Sequence, residues 1–137
     1  MPDALMRLAI LAVVGVLLIA LVWGGRLFVA RQKRLALTAA PPAFAQGKVS
    51  ILAFSSADCT QCHTLQQPTL RRLQALRGTE IDVMEIDAPA SPELARRYRI
   101  LTVPSTVVLN PAGKAQAINY GFANLSKLQQ QIDAISI

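Results

Sequence analysis

Cys59 and Cys62 stand two residues apart, where a branched apolar run gives way to helical spacing. Nothing else in the chain limits its fold so tightly. They are the only cysteines, and the only histidine, His63, follows directly. Upstream, Val49-Ser50-Ile51-Leu52-Ala53-Phe54 has the make-up of a buried strand. Downstream, Leu65, Thr69, Leu73 and Leu76 recur at helical spacing. The pair therefore lies where a strand hands over to the first turn of a helix. Unpaired backbone N–H groups and the positive end of the helix dipole there favour thiolate over thiol. Two thiols so placed can close a disulfide and reopen it by exchange, which is redox chemistry.

Other chemistries compete for the same residues. Cys59, Cys62 and His63 also spell the attachment signature of a c-type haem. That reading needs an axial partner for the iron. No second histidine exists; Met1 and Met6 fall in the apolar N-terminal segment and Met84 in mid-strand. Zinc needs four N, S or O ligands, and Asp58, Cys59, Cys62 and His63 make a cramped set. An inert thiol pair, a structural disulfide and a redox-dead binding module complete the alternatives. The favoured reading is a working dithiol/disulfide pair with no metal and no organic cofactor.

A chain of 137 residues allows one modest domain plus an appendage. The appendage is visible as an apolar run over residues 8–25, long enough to span a bilayer. Trp23 sits near its end, where an amphipathic ring suits the headgroup level. A cleaved signal peptide would show small residues at a cleavage site; here Arg26, Arg31, Lys33 and Arg34 follow instead. The expectation is an uncleaved, single-pass anchor in the cell membrane.

The net charge of +6 belongs mostly to that anchor. The first 46 residues hold five Lys/Arg against one Asp, and the remainder nine Lys/Arg against seven Asp/Glu. Basic residues beside a span attract anionic lipid heads, at about 1 kcal/mol each. No basic stripe with interleaved aromatics tracks a nucleic acid backbone, so nucleic acid is not an expected partner. Lys/Arg-rich flanks also tend to stay cytoplasmic. More cations follow the span than precede it, where Arg7 is offset by Asp3. The charge asymmetry points the domain into the cytoplasm, with a periplasmic placement as the alternative.

The expected organisation is a flank and transmembrane helix over 1–25, a basic juxtamembrane segment and linker over 26–46, and an α/β domain over 47–137. A basic helix can run on to Leu37 before Thr38-Ala39-Ala40-Pro41-Pro42 breaks it. Strand 49–55 leads into helix 59–77, capped by Asp58, kinked at Pro68 and stopped by Gly78. A second strand covers 81–86. Ser91 caps a short helix beginning at Pro92. Strands 105–109 and 114–120 form a hairpin about the turn at 110–113. Leu125, Leu128, Ile132 and Ile135 stripe a closing helix, which Asn124 caps. Strands joined through helices call for parallel pairing, and the hairpin is antiparallel.

These residues resemble a thioredoxin-fold domain over about 47–137. The likeness rests on the strand entering Cys59-Thr60-Gln61-Cys62, on Pro68 in the following helix, and on Val103-Pro104-Ser105-Thr106 before a strand. The hairpin turn and the terminal amphipathic helix complete it. The resemblance implies a βαβαββα order with a mixed four-stranded sheet flanked by helices. It implies a cis peptide bond at Pro104, packed against the sulfurs, and substrate pairing by the backbone of Val103. It also implies that Cys59 attacks as thiolate and Cys62 resolves the mixed disulfide. A protonated His63 would add positive charge beside the pair, its plain alternative being a surface residue. Partners would be protein disulfides or dithiols, reached by a membrane-anchored oxidoreductase of bacterial type. A non-catalytic binding module of the same fold is the alternative.

Three departures from thioredoxin stand out. Asp58 replaces the Trp before the first cysteine, and Ala53 replaces the buried acid that assists proton transfer. Thr60-Gln61 replaces the usual Gly-Pro between the cysteines, a dipeptide that helps set the reduction potential in that family. About 30 mV corresponds to roughly 1.4 kcal/mol for a two-electron couple, so small local changes decide direction.

Overall fold

The computed structural model describes residues 2–39, 42 and 47–136. It divides into two compact units, Met1–Gln32 and Lys33–Ile137. Most of the expected linker, residues 40, 41 and 43–46, lies outside the described residues.

Helix α1 (Pro2–Leu37) supplies the first unit. Its apolar side chains, among them Leu11, Leu18 and Leu21, are exposed on every side rather than along one stripe. A helix apolar all round needs an apolar surrounding. At 36 residues and roughly 1.5 Å per residue, it is long and apolar enough to cross a membrane. A signal sequence near an N-terminus passes the same test. The helix closes with Thr38 Oγ1 donating to the Leu35 carbonyl at 2.8 Å.

In the second unit the elements are β1 (Val49–Ser55), a π-helical turn (Cys62–Gln66), α2 (Gln67–Arg77), β2 (Ile81–Asp87), α3 (Pro92–Arg97), β3 (Ser105–Leu109), β4 (Ala115–Tyr120) and α4 (Leu125–Ser136). The strands form one mixed sheet in the order β2-β1-β3-β4. Strand β1 runs parallel to β2 and antiparallel to β3, and β3 is antiparallel to β4. Parallel pairing thus holds across the α2 crossover but not across α3. β3 instead enters at the end of the sheet where β2 finished and runs back along β1.

Alternation along β1 sends Val49, Ile51 and Ala53 to one face and Leu52 and Phe54 to the other. The first set packs with Leu70 and Leu73 of α2 and Leu128 and Ile132 of α4. The second packs with Tyr98, Val107, Leu109 and Ala36 from the last turn of α1. Each fully buried Leu or Ile contributes roughly 1.5–3 kcal/mol. With both faces covered, the central strands read as unbroken apolar runs. That layering holds the C-terminal end of β1 fixed, and the cysteine pair follows it.

Local chemistry closes the elements. Asn124 Oδ1 accepts from the Lys127 N–H at 2.9 Å and caps α4 as expected. Asn110 Oδ1 accepts from the N–H groups of Ala112 and Lys114, and Gly113 takes φ +82° in the hairpin turn. Ser91 departs from expectation: its side chain makes no capping bond, and its carbonyl accepts from the Ala95 N–H instead. Gly78 ends α2 at φ +57°, leading into a single 3-10 turn, Gly78–Glu80.

Candidate active site

β1 delivers the chain to Ser55, and the Cys59 N–H donates to the Ser56 carbonyl at 3.2 Å, folding residues 56–59 into a tight turn. Helical backbone begins at Thr60, which makes Cys59 the flanking residue. Its Sγ accepts from the Cys62 N–H at 3.1 Å, the place where a capping oxygen normally stands. This corrects the expectation that Asp58 caps the helix. The turn starts too late for that carboxylate, which makes no hydrogen bond among the described residues, and Asp58 is exposed.

Cys59 and Cys62 are joined as a disulfide with their Cα atoms 5.3 Å apart. Cys59 is half-buried, whereas Cys62 is 1% exposed. A nucleophile from solution therefore reaches the first sulfur and not the second. A hydrogen bond from a backbone N–H stabilises negative charge on the sulfur that accepts it. Both asymmetries single out Cys59.

Pro68 acts differently from a simple kink. Lacking an N–H, it cannot donate within the helix. The chain responds with the π-helical turn, in which the Gln67 N–H reaches the Cys62 carbonyl, and Pro68 then sits in the first turn of α2. Such turns hold one extra residue and alter the aim of the side chains before them.

Across from the cysteines, the Val103–Pro104 bond is cis, as the resemblance implied. Pro104 is buried, and it borders the same small cavity as Cys62, Ala53 and Gln66. Its carbonyl accepts from the Gly121 N–H at 2.9 Å, which ties the proline loop to the end of β4. Val103 is half-buried, and its backbone has no hydrogen-bond partner among the described residues. Cys59, Cys62, Val103 and Pro104 thus share one end of the sheet. His63 does not turn toward the sulfurs. It is exposed, and its Nε2–H donates to the Ala57 carbonyl at 3.2 Å, bracing the loop ahead of Cys59.

Two residues here escaped the reading of the sequence. Gln66 is 3% exposed and bridges to Ala123, a contact with no local signal. Glu85 borders the cavity that ends on Cys62. It follows Ile81 and Val83 at the inward positions of β2, and a carboxylate in that alternation was the available clue.

A cysteine pair opening the helix after a central parallel strand, faced by a cis-proline, defines a thioredoxin-fold protein. More particularly, the sequence model of TraF, the F plasmid transfer operon protein, matches residues 42–133, and the chain belongs to that family. Among solved structures, thioredoxin-2 of a malaria parasite is similar, with 24% identity over 64% of this chain and 82% of its own, at a TM-score of 0.58. Thioredoxin from Fasciola hepatica has 23% identity over 66% and 83%, at 0.57. Chloroplastic thioredoxin z has 21% over 66% and 80%, at 0.59. No curated protein matches the chain. At these identities the structural likeness establishes the fold, and with the Cys59–Cys62 disulfide it supports thiol–disulfide chemistry.

Proposed function

We propose that the protein is a membrane-anchored thiol–disulfide oxidoreductase that exchanges the Cys59/Cys62 pair with disulfides or dithiols of protein substrates. One observation carries this: a half-exposed sulfur, served by a backbone N–H, bonded to a buried one at the head of a helix. Cys59 attacks and forms the mixed disulfide; Cys62 then attacks Cys59 and releases the substrate. The unpaired backbone of Val103 beside Pro104 offers a short main-chain edge for an extended substrate segment. Helix α1 is the anchor, with anionic lipid as the partner of its basic flank. Tethering raises the effective concentration of the pair toward partners on the same membrane. The family's description directs the search for substrates to the products of a plasmid transfer operon. The cations after the span favour the cytoplasmic side.

Equilibration of the full chain with graded thiol buffers, followed by alkylation, measures the midpoint potential of the pair. A reversible two-electron couple between about −270 and −120 mV is expected for a working oxidoreductase. A pair that remains oxidised below roughly −300 mV behaves as a structural disulfide and leaves a binding module of the same fold.

A further inference from the structure

On the α2 side of the sheet, β2 presents Ile81, Val83 and Glu85 in succession. Ile81 is buried and Val83 half-buried, while Glu85 stands where the row meets solvent. Glu85 is the register partner of Ala53 in the parallel β1–β2 pair. Ala53 is 4% exposed, and its methyl group leaves space in front of it. That space is a cavity of about 10 Å³, bordered by Ala53, Gln66, Pro104, Cys62 and Glu85 among others. Its volume is close to the least that admits one water molecule. Among the described residues that border it, only Cys62 and Glu85 ionise. The charged neighbours Asp82 and Asp87 on β2, and Arg71 and Arg72 on α2, do not border it.

Cys62 needs such a group. Burial disfavours a thiolate, and the Cys62 N–H is committed to the sulfur of Cys59. We propose that Glu85 is the proton acceptor for Cys62 in the second step of exchange, an inference that rests on the oxidoreductase reading. With Cys59 joined to a substrate sulfur, the Cys62 thiol passes its proton to the Glu85 carboxylate across the cavity. The Cys62 thiolate attacks Cys59 Sγ, the Cys59–substrate S–S bond breaks, and the Cys59–Cys62 bond forms. The substrate sulfur leaves as a thiolate, so two electrons pass from the protein dithiol to the substrate disulfide. Glu85, open to solvent, then releases its proton there. The carboxylate thus serves from the strand next to Ala53 rather than from Ala53 itself.

The test uses the reduced full chain in detergent, mixed in stopped flow with an aromatic disulfide. One coloured thiolate leaves on attack by Cys59 and a second on resolution by Cys62. Glu85→Gln is expected to leave the first release unchanged and slow the second by roughly tenfold or more. Glu85→Ala is expected to slow it likewise and to regain rate in proportion to added acetate, a small base that replaces the lost carboxylate. A purely structural role would not respond to acetate. Resolution at the wild-type rate in Glu85→Gln, or an acetate-independent rate in Glu85→Ala, overturns the proposal alone. A wild-type chain that releases no first thiolate overturns the oxidoreductase reading, and this proposal with it.

Discussion

Gln66 and Ala123 hold each other by two hydrogen bonds across 57 residues of sequence. The Gln66 side chain donates to the Ala123 carbonyl at 3.2 Å, and the Ala123 N–H donates back to Gln66 Oε1 at 3.0 Å. Both residues are buried. The pair fastens the π-helical turn that carries Cys62 to the loop between β4 and α4. Gln66→Leu keeps much of the volume and strands two buried backbone groups, each costing about 1–3 kcal/mol. Denaturant unfolding of the variant is expected to show a loss of about 2–4 kcal/mol at an unchanged slope. A loss below about 0.5 kcal/mol would mean that water replaces the amide and that the clamp is dispensable.

The order of attack follows from exposure and from the Cys62 N–H aimed at Cys59 Sγ. Cys62→Ala is expected to leave a reactive Cys59 that accumulates mixed disulfides with partner proteins. Cys59→Ala leaves only a buried thiol and is expected to trap nothing. Non-reducing gels of cells expressing each variant read the difference. Equal trapping by both variants, or by neither, sinks the assignment of roles.

The sequence made the frame of this site legible because its signals are local. An apolar run ending at a Cys-x-x-Cys pair, with Pro104 before a strand, places the cysteines without knowledge of the sheet. Asn124 and the turn at 110–113 were equally readable, since their side chains bond within four residues. What stayed hidden depends on distance or direction. Nothing near Gln66 announces Ala123, and nothing within β3 states that it runs against β1. Asp58 shows the limit of residue preference. Aspartate is the better cap by type, yet the turn after β1 brings Cys59 to the position instead.

Tyr98 sits fully buried against Phe54, and its hydroxyl has no hydrogen-bond partner among the described residues. Burial raises its phenol above the ordinary value of 10.0, with Arg97 opposing in part. A raised folded-state value means that the protonated form is favoured by folding. That stability is fully present below the ordinary value and is lost as pH climbs through the folded one. Tyr120 is raised by burial too, with Arg99 opposing, and shares the same window. Tyr98→Phe removes one of the two groups and an unsatisfied buried hydroxyl. Unfolding at neutral pH is expected to show a gain of about 1 kcal/mol, with a shallower decline above pH 10. A less stable variant would show that the hydroxyl is satisfied in solution.

For the membrane-anchored protein proposed above, the side of the membrane decides which redox pool the pair meets. Arg26 and Arg31 follow the apolar run closely, with Lys33 and Arg34 beyond them. Lys33 Nζ lies 6.0 Å from the centre of the Tyr120 ring, at the edge of cation–π range. Ala36 is buried in the domain core, so the last turn of α1 is part of the folded unit. Ahead of the apolar run, Arg7 is offset by Asp3. Cations near a span resist translocation, although long domains cross largely regardless of charge. On this balance the domain is expected in the cytoplasm, where thiol pools would keep the pair mostly reduced. Cys62→Ala contains a single thiol, the half-buried Cys59, which makes a clean reporter. After mild reduction, a membrane-impermeant maleimide is applied to intact cells or spheroplasts and again after lysis. Protection until lysis is the expected result. Labelling before lysis places the domain outside the cytoplasm, in an oxidising compartment, and makes donation of a disulfide the more natural direction of exchange.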